Sequence, residues 1–326
     1  MRKGSNFVKK RALIFGLAGQ DGAYLSEFLL GKGYSVFGTS RDAQMSTFAN
    51  LERLGIRDRV TAYSANPVDF RSVLDVLTKT EPDEVYNLAG QSSVGLSFEQ
   101  PADTFTSIAM ANITLLEVIR FLGGNIRYYN ACSTECFGNS IAPATEETPF
   151  YPRSPYAVAK AASFWQVAYY RESCGLFACS GILSNHESPF RPERFVTQKI
   201  VRSAVRISRG SGEILRLGNI DICRDWGWAP EYVQAMWLML QKETPEDFIV
   251  ATGHTISLRD FLFRIFTCLG MDWNDHVRIE DTFLRPSDIT ESHVDPSKAA
   301  KKLGWVAKYR ADSVARLLVE AEMERK

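Results

Sequence analysis

The chain has 326 residues, 45% of them hydrophobic and 23% charged, with 38 Lys plus Arg against 38 Asp plus Glu. That length buries a large core in one big domain or two. The balanced charge argues against nucleic acid or an anionic membrane as the main partner, while leaving room for a local basic pocket.

No run approaches the roughly 18 apolar residues that a membrane span requires, so no membrane partner is expected. Residues Met1 to Lys10 are basic but lead into no signal-type apolar region, because Gly16 to Gly22 interrupts it. The six cysteines (132, 136, 174, 179, 223 and 268) show neither a paired framework nor zinc spacing. They read as free thiols in a reducing compartment, with a cytoplasmic location and no metal site.

In chain order, Arg11 to Phe15 is a short apolar run suited to a buried parallel strand. It opens into Gly16-Leu17-Ala18-Gly19-Gln20-Asp21-Gly22, a GxxGxxG pattern, and then into a helix with Tyr24, Leu25, Phe28 and Leu29 on one face. Strand before and helix after is the context in which such glycines let the backbone approach a pyrophosphate, so a nucleotide-binding turn is expected. Tyr34 to Thr39 is the next strand, and the residues that end it discriminate between nicotinamide cofactors. Ser40 and Arg41 suit a ribose 2′-phosphate, whereas Asp42 would oppose one if turned the same way. The expectation is NADP, with NAD open and Arg41 alternatively a solvated loop charge.

Val60 to Tyr63 is a third strand and Val68 to Thr78 a helix, with Asn66 or Asp69 placed for an adenine contact. Glu84 to Leu88 is a fourth strand. Leu88, Ala89, Gly90, Gln91 and Ser92 follow it, mostly small residues that permit close approach of a cofactor. A long helix spans 101–122, and Ile126 to Ala131 is a fifth strand. The alternation predicts a right-handed βαβ series, an α/β fold with a Rossmann-like doubly wound parallel sheet. Ligands bind outside the carboxyl ends of such strands, which is where Ser133 and Glu135 fall.

Tyr156 and Lys160 stand four apart at the start of a helix over about 156–173, a spacing that puts both on one face. A nearby ammonium favours the phenolate, so the pair suits a general base; spacing alone equally fits a surface Tyr packed on a Lys stem. Leu176 to Ile182 is a sixth strand. Asn185-His186-Glu187-Ser188-Pro189-Phe190-Arg191 then reads as a polar loop, and 195–208 as a basic amphipathic helix with Lys199, Arg202, Arg206 and Arg209. A strand at Ile214 to Leu217, helices at 230–241 and 257–269, a strand at Phe248 to Ala251 and two tail helices around Leu303-Gly304-Trp305 complete the chain. We divide it into a dinucleotide-binding domain over 1–183, with a returning segment near 224–252, and a smaller C-terminal α/β substrate lobe over 184–326.

With these stretches in hand, the chain resembles the GDP-mannose 4,6-dehydratases of the extended short-chain dehydrogenase/reductases. The resemblance rests on Gly19 to Leu25, Pro82 to Ala89, Tyr151 to Lys160, Asn185 to Pro189, Phe195 to Thr197 with Lys199, and Leu217 through Arg224 to Gly227. The Asn-His-Glu-Ser-Pro and Arg-Asp-Trp-Gly stretches are far more specific than the glycine loop. Departures from the family are Ser133 for Thr, Asp42 for a second Arg, Ser93 for His, Phe190 for Arg, and a shorter segment between Gly270 and Arg285.

The resemblance implies a hydro-lyase acting on a GDP-sugar by internal hydride transfer from C4 to C6. Ser133, Glu135, Tyr156 and Lys160 are the implied catalytic set. It implies cofactor contacts from Gly16, Gly19, Gln20, Asp21, Gly22, Ser40, Arg41, Asn66, Leu88, Ala89, Gln91, Tyr156, Lys160 and His186. The implied substrate contacts are Ser92, Ser133, Glu135, Asn185, Lys199, Leu217, Arg224 and Arg285. It also implies a homodimer or homotetramer, for which helices 101–122 and 156–173 are the expected four-helix interface. A 4-reductase or epimerase needs Tyr and Lys but no carboxylate at 135, so Glu135 is the residue that argues for dehydration; capping of the next element is the alternative role for it. His186 reads either as a core histidine bonded to backbone or as a positioning group.

Overall fold

The computed structural model describes residues 9–283 and 287–325. Its strands in chain order are β1 (Arg11–Phe15), β2 (Ser35–Ser40), β3 (Val60–Ser64), β4 (Glu84–Asn87), β5 (Arg127–Ser133), β6 (Ser140–Ala144) and β7 (Ala178–Leu183). Then come β8 (Asn185–Glu187), β9 (Leu215–Leu217), β10 (Cys223–Trp228), β11 (Phe248–Val250), β12 (Thr255–Ser257), β13 (Val277–Ile279) and β14 (Ser292–Val294). The helices are α1 (Gln20–Gly31), α2 (Ala49–Arg53), α3 (Phe70–Thr80), α4 (Val94–Glu99), α5 (Pro101–Phe105) and α6 (Ala111–Leu122). They continue with α7 (Pro155–Cys174), α8 (Val196–Ser208), α9 (Ala229–Leu240), α10 (Leu258–Cys268), α11 (Ser297–Leu303) and α12 (Ala311–Met323).

The principal sheet runs β11-β7-β5-β4-β1-β2-β3, every pairing parallel. Ala12 and Ile14 pack with Tyr86 and Tyr129 against α1 and α9, while Leu13 and Phe15 pack with Val85 and Tyr128 against α3, α6 and α7. Side chains alternate between faces and helices cover both, which explains why these strands read as continuous apolar runs. The chain leaves β3 at one edge and re-enters as β4 on the other side of β1. That reversal opens a crevice at the carboxyl ends of β1 and β4. The register Phe15↔Asn87 and Asn87↔Asn130 brings the ends of β1, β4 and β5 level there.

The smaller lobe has its own core, in which Ile200, Leu217, Trp226, Phe261, Phe266 and Leu318 come from β9, β10, α8, α10 and α12. Between those elements the chain returns to the sheet: α9 packs on α1, and β11 pairs with β7.

Several local expectations are corrected. Residues 185–187, read as loop, form β8, because their backbone pairs in parallel with Trp226 to Trp228. The helix over 101–122 contains a π-helical turn at Thr106–Met110 between α5 and α6. This run is long and apolar enough to cross a bilayer, yet Ile108, Leu115, Leu116, Val118 and Ile119 are buried in the protein. The strands β6 and β14 pair across some 150 residues, with Ser140 opposite Ser292, a long-range match that no local pattern announces. Trp226, Trp228 and Trp237 each pack on a different ring, Phe261, Tyr309 and Phe28 respectively. All six cysteines are free thiols.

Candidate active site

The crevice deepens into a cavity of about 1150 Å³ between the sheet and the smaller lobe. Its floor is the glycine turn. Gly16 has φ +94°, and a Cβ there would come within 2.8 Å of the Leu88 backbone. A Cβ on Gly22 would come within 2.3 Å of the Gly16 carbonyl oxygen. Only glycine permits both approaches. Gly19 begins α1 without a capping side chain, so the positive end of the helix opens on the cavity, an arrangement that suits a pyrophosphate.

Gly16, Gly19, Gln20, Asp21, Gly22, Ser40, Arg41, Asn66, Leu88, Ala89 and Gln91 all line this cavity, as do Ser92, Ser133, Glu135, Tyr156, Lys160, Asn185, His186 and Arg224. The Asp42 carboxylate accepts the N–H groups of Gln44 and Met45, both at 3.0 Å, and is thereby turned into its own loop. Asp69, the alternative adenine contact, instead caps α3 by accepting the Ser72 N–H at 3.0 Å. Lys199 and Leu217 do not line the cavity. The Lys199 ammonium donates to the Arg216 carbonyl at 2.7 Å, and Leu217 is buried in the small-lobe core. Arg285 lies outside the described residues.

Strand β5 delivers Ser133 at its last position, and a 3₁₀ turn over Thr134–Phe137 carries Glu135. The Ser133 hydroxyl accepts the Glu135 N–H at 3.2 Å and lies close enough to Tyr156 to favour its ionised form. Tyr156 is held by the first turn of α7, where Ser154 caps the helix by accepting the Ala157 N–H at 3.1 Å and Pro155 follows it. Lys160 lies one turn on, its ammonium 5.8 Å from the centre of the Tyr156 ring, and donates to the Ala131 carbonyl at 2.6 Å.

The expected lowering of the Tyr156 pKa is not found. Burial pushes the phenol up, with the Ser133 hydroxyl acting against it. Burial likewise pulls Lys160 down. Removing water destabilises both charged forms, and Lys160 is bonded to a carbonyl rather than to the phenol.

Glu135 faces a cation from the other lobe: Arg224 Nε lies 3.3 Å from Glu135 Oε1. At the far side of the glycine turn, His186 Nδ1–H donates to the Ser184 carbonyl at 2.8 Å, and Nε2–H donates to Asp21 Oδ2 at 3.0 Å. Both ring nitrogens face acceptors, so the ring is an imidazolium. Burial works against the charge on each partner, but the ion pair prevails: His186 is raised and Asp21 lowered. Gln20 completes this seam, donating to the His186 carbonyl at 3.1 Å and accepting the Ser188 hydroxyl at 2.7 Å.

The sequence reading passed over the cations Arg191 and Arg194 and the acids Asp103 and Glu187, all of which line the cavity. Thr197 donates to Glu187 at 2.7 Å; both stand in stretches singled out above, but their pairing spans ten residues and leaves no local mark. Phe190, the departure after Ser-Pro, stacks on Tyr24 at 4.8 Å between centroids, and the Arg53 guanidinium lies 4.8 Å from its ring.

Comparison with known proteins agrees with this geometry. The sequence model of a family described as GDP-mannose 4,6 dehydratase matches residues 13–318. GDP-mannose 4,6 dehydratase 2 of Arabidopsis thaliana is 44% identical over 97% of this chain and 87% of its own length. GDP-mannose 4,6-dehydratase of Vibrio cholerae is 40% identical over 97% of this chain and 95% of its own. Among solved structures, dTDP-glucose 4,6-dehydratase from Bacillus anthracis in complex with NAD superposes with a TM-score of 0.85 at 18% identity, covering 97% of each chain. UDP-glucose 4-epimerase from Thermus thermophilus in complex with NAD does so with a TM-score of 0.85 at 24% identity, over 97% of this chain and 100% of that one. These two likenesses concern the fold, whereas the family match spans residues 13–318, the stretch that holds the glycine turn, the Glu135 turn and the Tyr–Lys pair. The chain belongs to the GDP-mannose 4,6-dehydratase family.

Proposed function

We propose that the chain converts GDP-mannose to GDP-4-keto-6-deoxymannose and water, with NADP as cofactor. The observation that carries this reading is one cavity holding a carboxylate, Glu135, beside Ser133, Tyr156 and Lys160, in a member of this family. Simple oxidation or epimerisation at C4 has no work for that carboxylate. A bound nicotinamide supplies hydride acceptance from C4 and hydride return to C6.

The chain's own groups do the rest. Tyr156 takes the 4-hydroxyl proton, with Ser133 hydrogen-bonding the 4-oxygen. The resulting 4-ketone acidifies the C5 proton; Glu135 removes it and delivers it to the departing 6-hydroxyl, which leaves as water. Once hydride has returned to C6, C5 takes up a proton from Tyr156, the one that came off the 4-hydroxyl, and the tyrosine is restored as the phenolate that began the cycle. Each positioned acid or base is worth ~10²–10⁴-fold. Lys160 orients the nicotinamide ribose.

The preference for NADP rests on Ser40 and Arg41 at the cavity, with the Asp42 carboxylate turned into its own loop. Gly16, Gly19, Gly22, Leu88 and Ala89 cradle the dinucleotide, and Asn66 reaches the adenine. Gln20, Asp21, Gln91 and His186 brace it. Ser92, Ser133, Glu135 and Asn185 face the sugar, with Arg191 and Arg194 as further cavity cations. The cofactor is held by residues 1–183, with α9 and β11 returning to that sheet, and the nucleotide sugar by the rest of 184–326, β10 included. A homodimer or homotetramer and a cytoplasmic location complete the proposal; the free thiols are consistent with a reducing compartment.

Incubation with GDP-mannose and catalytic NADP⁺, followed by mass spectrometry, tests it. A product lighter by one water, abolished in Glu135→Gln, is the expected result. Cofactor binding without turnover of GDP-mannose sinks the reading and directs the search to related GDP-sugars, for which the departures at Ser93 and Phe190 are the first residues to consider.

A further inference from the structure

We infer, on the reading of His186 as a group that braces the cofactor, that Tyr232 is a positioning residue for His186, held for that task by Asp225 and Gly227. Tyr232, Asp225 and Gly227 do not line the cavity. Tyr232 lies in the first turn of α9 and is fully buried. Its ring stacks on the His186 imidazolium, with centres 4.6 Å apart and planes 22° from parallel. Its hydroxyl lies 2.6 Å from Ser184 Oγ, and the Ser184 hydroxyl donates to Asp225 Oδ1 at 3.1 Å. A serine hydroxyl carries one proton. With that proton on the Asp225 carboxylate, the phenol is the donor to Ser184. Asp225 also accepts the Thr252 and His254 N–H groups, each at 3.1 Å, so the far end of the relay is anchored on backbone.

Ser184 is also the residue whose carbonyl accepts His186 Nδ1–H, at 2.8 Å. The phenol therefore holds the imidazolium twice, by its face and through Ser184. Both contacts are needed for a fixed ring. Hydrogen bonds at Nδ1 and Nε2 leave an imidazole free to roll about the line joining them, and a ring stacked on its face removes that freedom. An aromatic face also favours the charged form. Gly227 makes the stacking possible. It stands opposite His186 in the pairing of β10 with β8, and a Cβ there would come within 2.4 Å of Tyr232 Cε2 and its hydroxyl oxygen. Only glycine lets the phenol lie across β10 beside His186. The Arg-Asp-Trp-Gly and Asn-His-Glu-Ser-Pro stretches thus meet at one point: Asp225 and Gly227 of the first serve His186 of the second.

The test compares Tyr232→Phe and Gly227→Ala with His186→Gln as control. Three quantities are read on the full chain: NADP⁺ affinity and GDP affinity by calorimetry, and the pH midpoint of the His186 ring by NMR without cofactor. Tyr232→Phe keeps the stacked ring and loses the tie to Ser184; it should weaken NADP⁺ binding about fivefold, the size of one hydrogen bond. Gly227→Ala displaces the ring itself; it should weaken NADP⁺ binding further and lower the His186 midpoint by about half a pH unit, as loss of a cation–π contact requires. Asp21 and Arg191, the other charged groups that act on His186, are untouched in both variants, so the midpoint reports the ring. GDP affinity should hold in both. Tyr232→Phe carries the test if Gly227→Ala does not fold. NADP⁺ affinity and midpoint at wild-type values in the folded variants, while His186→Gln binds NADP⁺ weakly, overturn the inference. So does an equal loss of GDP and NADP⁺ affinity, which marks general loosening. If His186→Gln binds NADP⁺ normally, the reading of His186 as a brace fails, and the midpoint, read without cofactor, still decides whether Tyr232 holds the ring.

Discussion

At the scale of single residues, the chemistry depends on pairs that hold charge away from water. His186 and Asp21 are the clearest case. The imidazolium donates from both nitrogens and stacks on Tyr232, with ring centres 4.6 Å apart. Because His186 is raised, its contribution to stability is complete below the unfolded value of about 6.5 and is lost as pH climbs through the folded value. Because Asp21 is lowered, its contribution is complete above the unfolded value of about 3.9 and is lost as pH falls through the folded one. The glycine turn is thus braced best between those limits. His186→Gln should cost about 2 kcal/mol at pH 6, the range for hydrogen bonds to charged groups, and should flatten the fall in stability toward pH 9. Urea unfolding at the two pH values checks this, and equal slopes for wild type and variant would show that the pair does not titrate as described. At Tyr156 the balance runs the other way: burial pushes the phenol up, and the Lys160 ammonium is bonded to the Ala131 carbonyl rather than to it.

At the scale of elements, the site depends on how helices and strands begin and end. Ser154, Pro155 and the first turn of α7 set the position of Tyr156. Ser154→Ala removes the cap on the Ala157 N–H and should cost ~1 kcal/mol. It should also lower kcat, by loosening the turn that carries the phenol. Denaturation midpoint and turnover measured together check this; a stability loss with unchanged kcat would confine Ser154 to a structural role. The start of this helix near Tyr156 was legible in the sequence, whereas the helix begins one residue earlier, at Pro155, on the cap that Ser154 supplies. The parallel pairing of β8 with β10 was not legible, since its partners stand about forty residues apart and neither has a strand-like pattern of its own. The π turn inside 101–122 was likewise hidden: apolar periodicity marks a helix without showing where one residue is added to its ladder.

At the scale of the whole molecule, two lobes share one chain that crosses between them repeatedly. The cavity lies on that seam, and each lobe contributes groups that are incomplete alone: Asp21 with His186, and Glu135 with Arg224. On the outer face, α6 and the π turn before it pack beside α7 and leave Met110, Trp165 and Tyr169 exposed, Trp165 by 63%. Exposed large aromatics on adjacent long helices suit burial against a second copy. Sedimentation should show a dimer or larger species, and Trp165→Arg should shift it toward monomer without unfolding it. A wild-type protein that sediments only as monomer removes the oligomer from the proposal.

The sequence by itself marked the parallel sheet, the glycine turn, Ser133 and Glu135 at the end of a strand, and the Tyr156–Lys160 pair on one helix face; that the four act together is what the resemblance implied. Those features depend on side-chain period, backbone freedom and spacing within a few residues, which are local properties. Tertiary structure alone decided that Asp42 turns away from the cofactor end, that Leu217 is core and Lys199 lies off the cavity. It also decided that the Arg224 guanidinium lies 3.3 Å from the Glu135 carboxylate. The partners of these groups come from distant segments, and a charge's role is fixed by what it faces once water has been excluded.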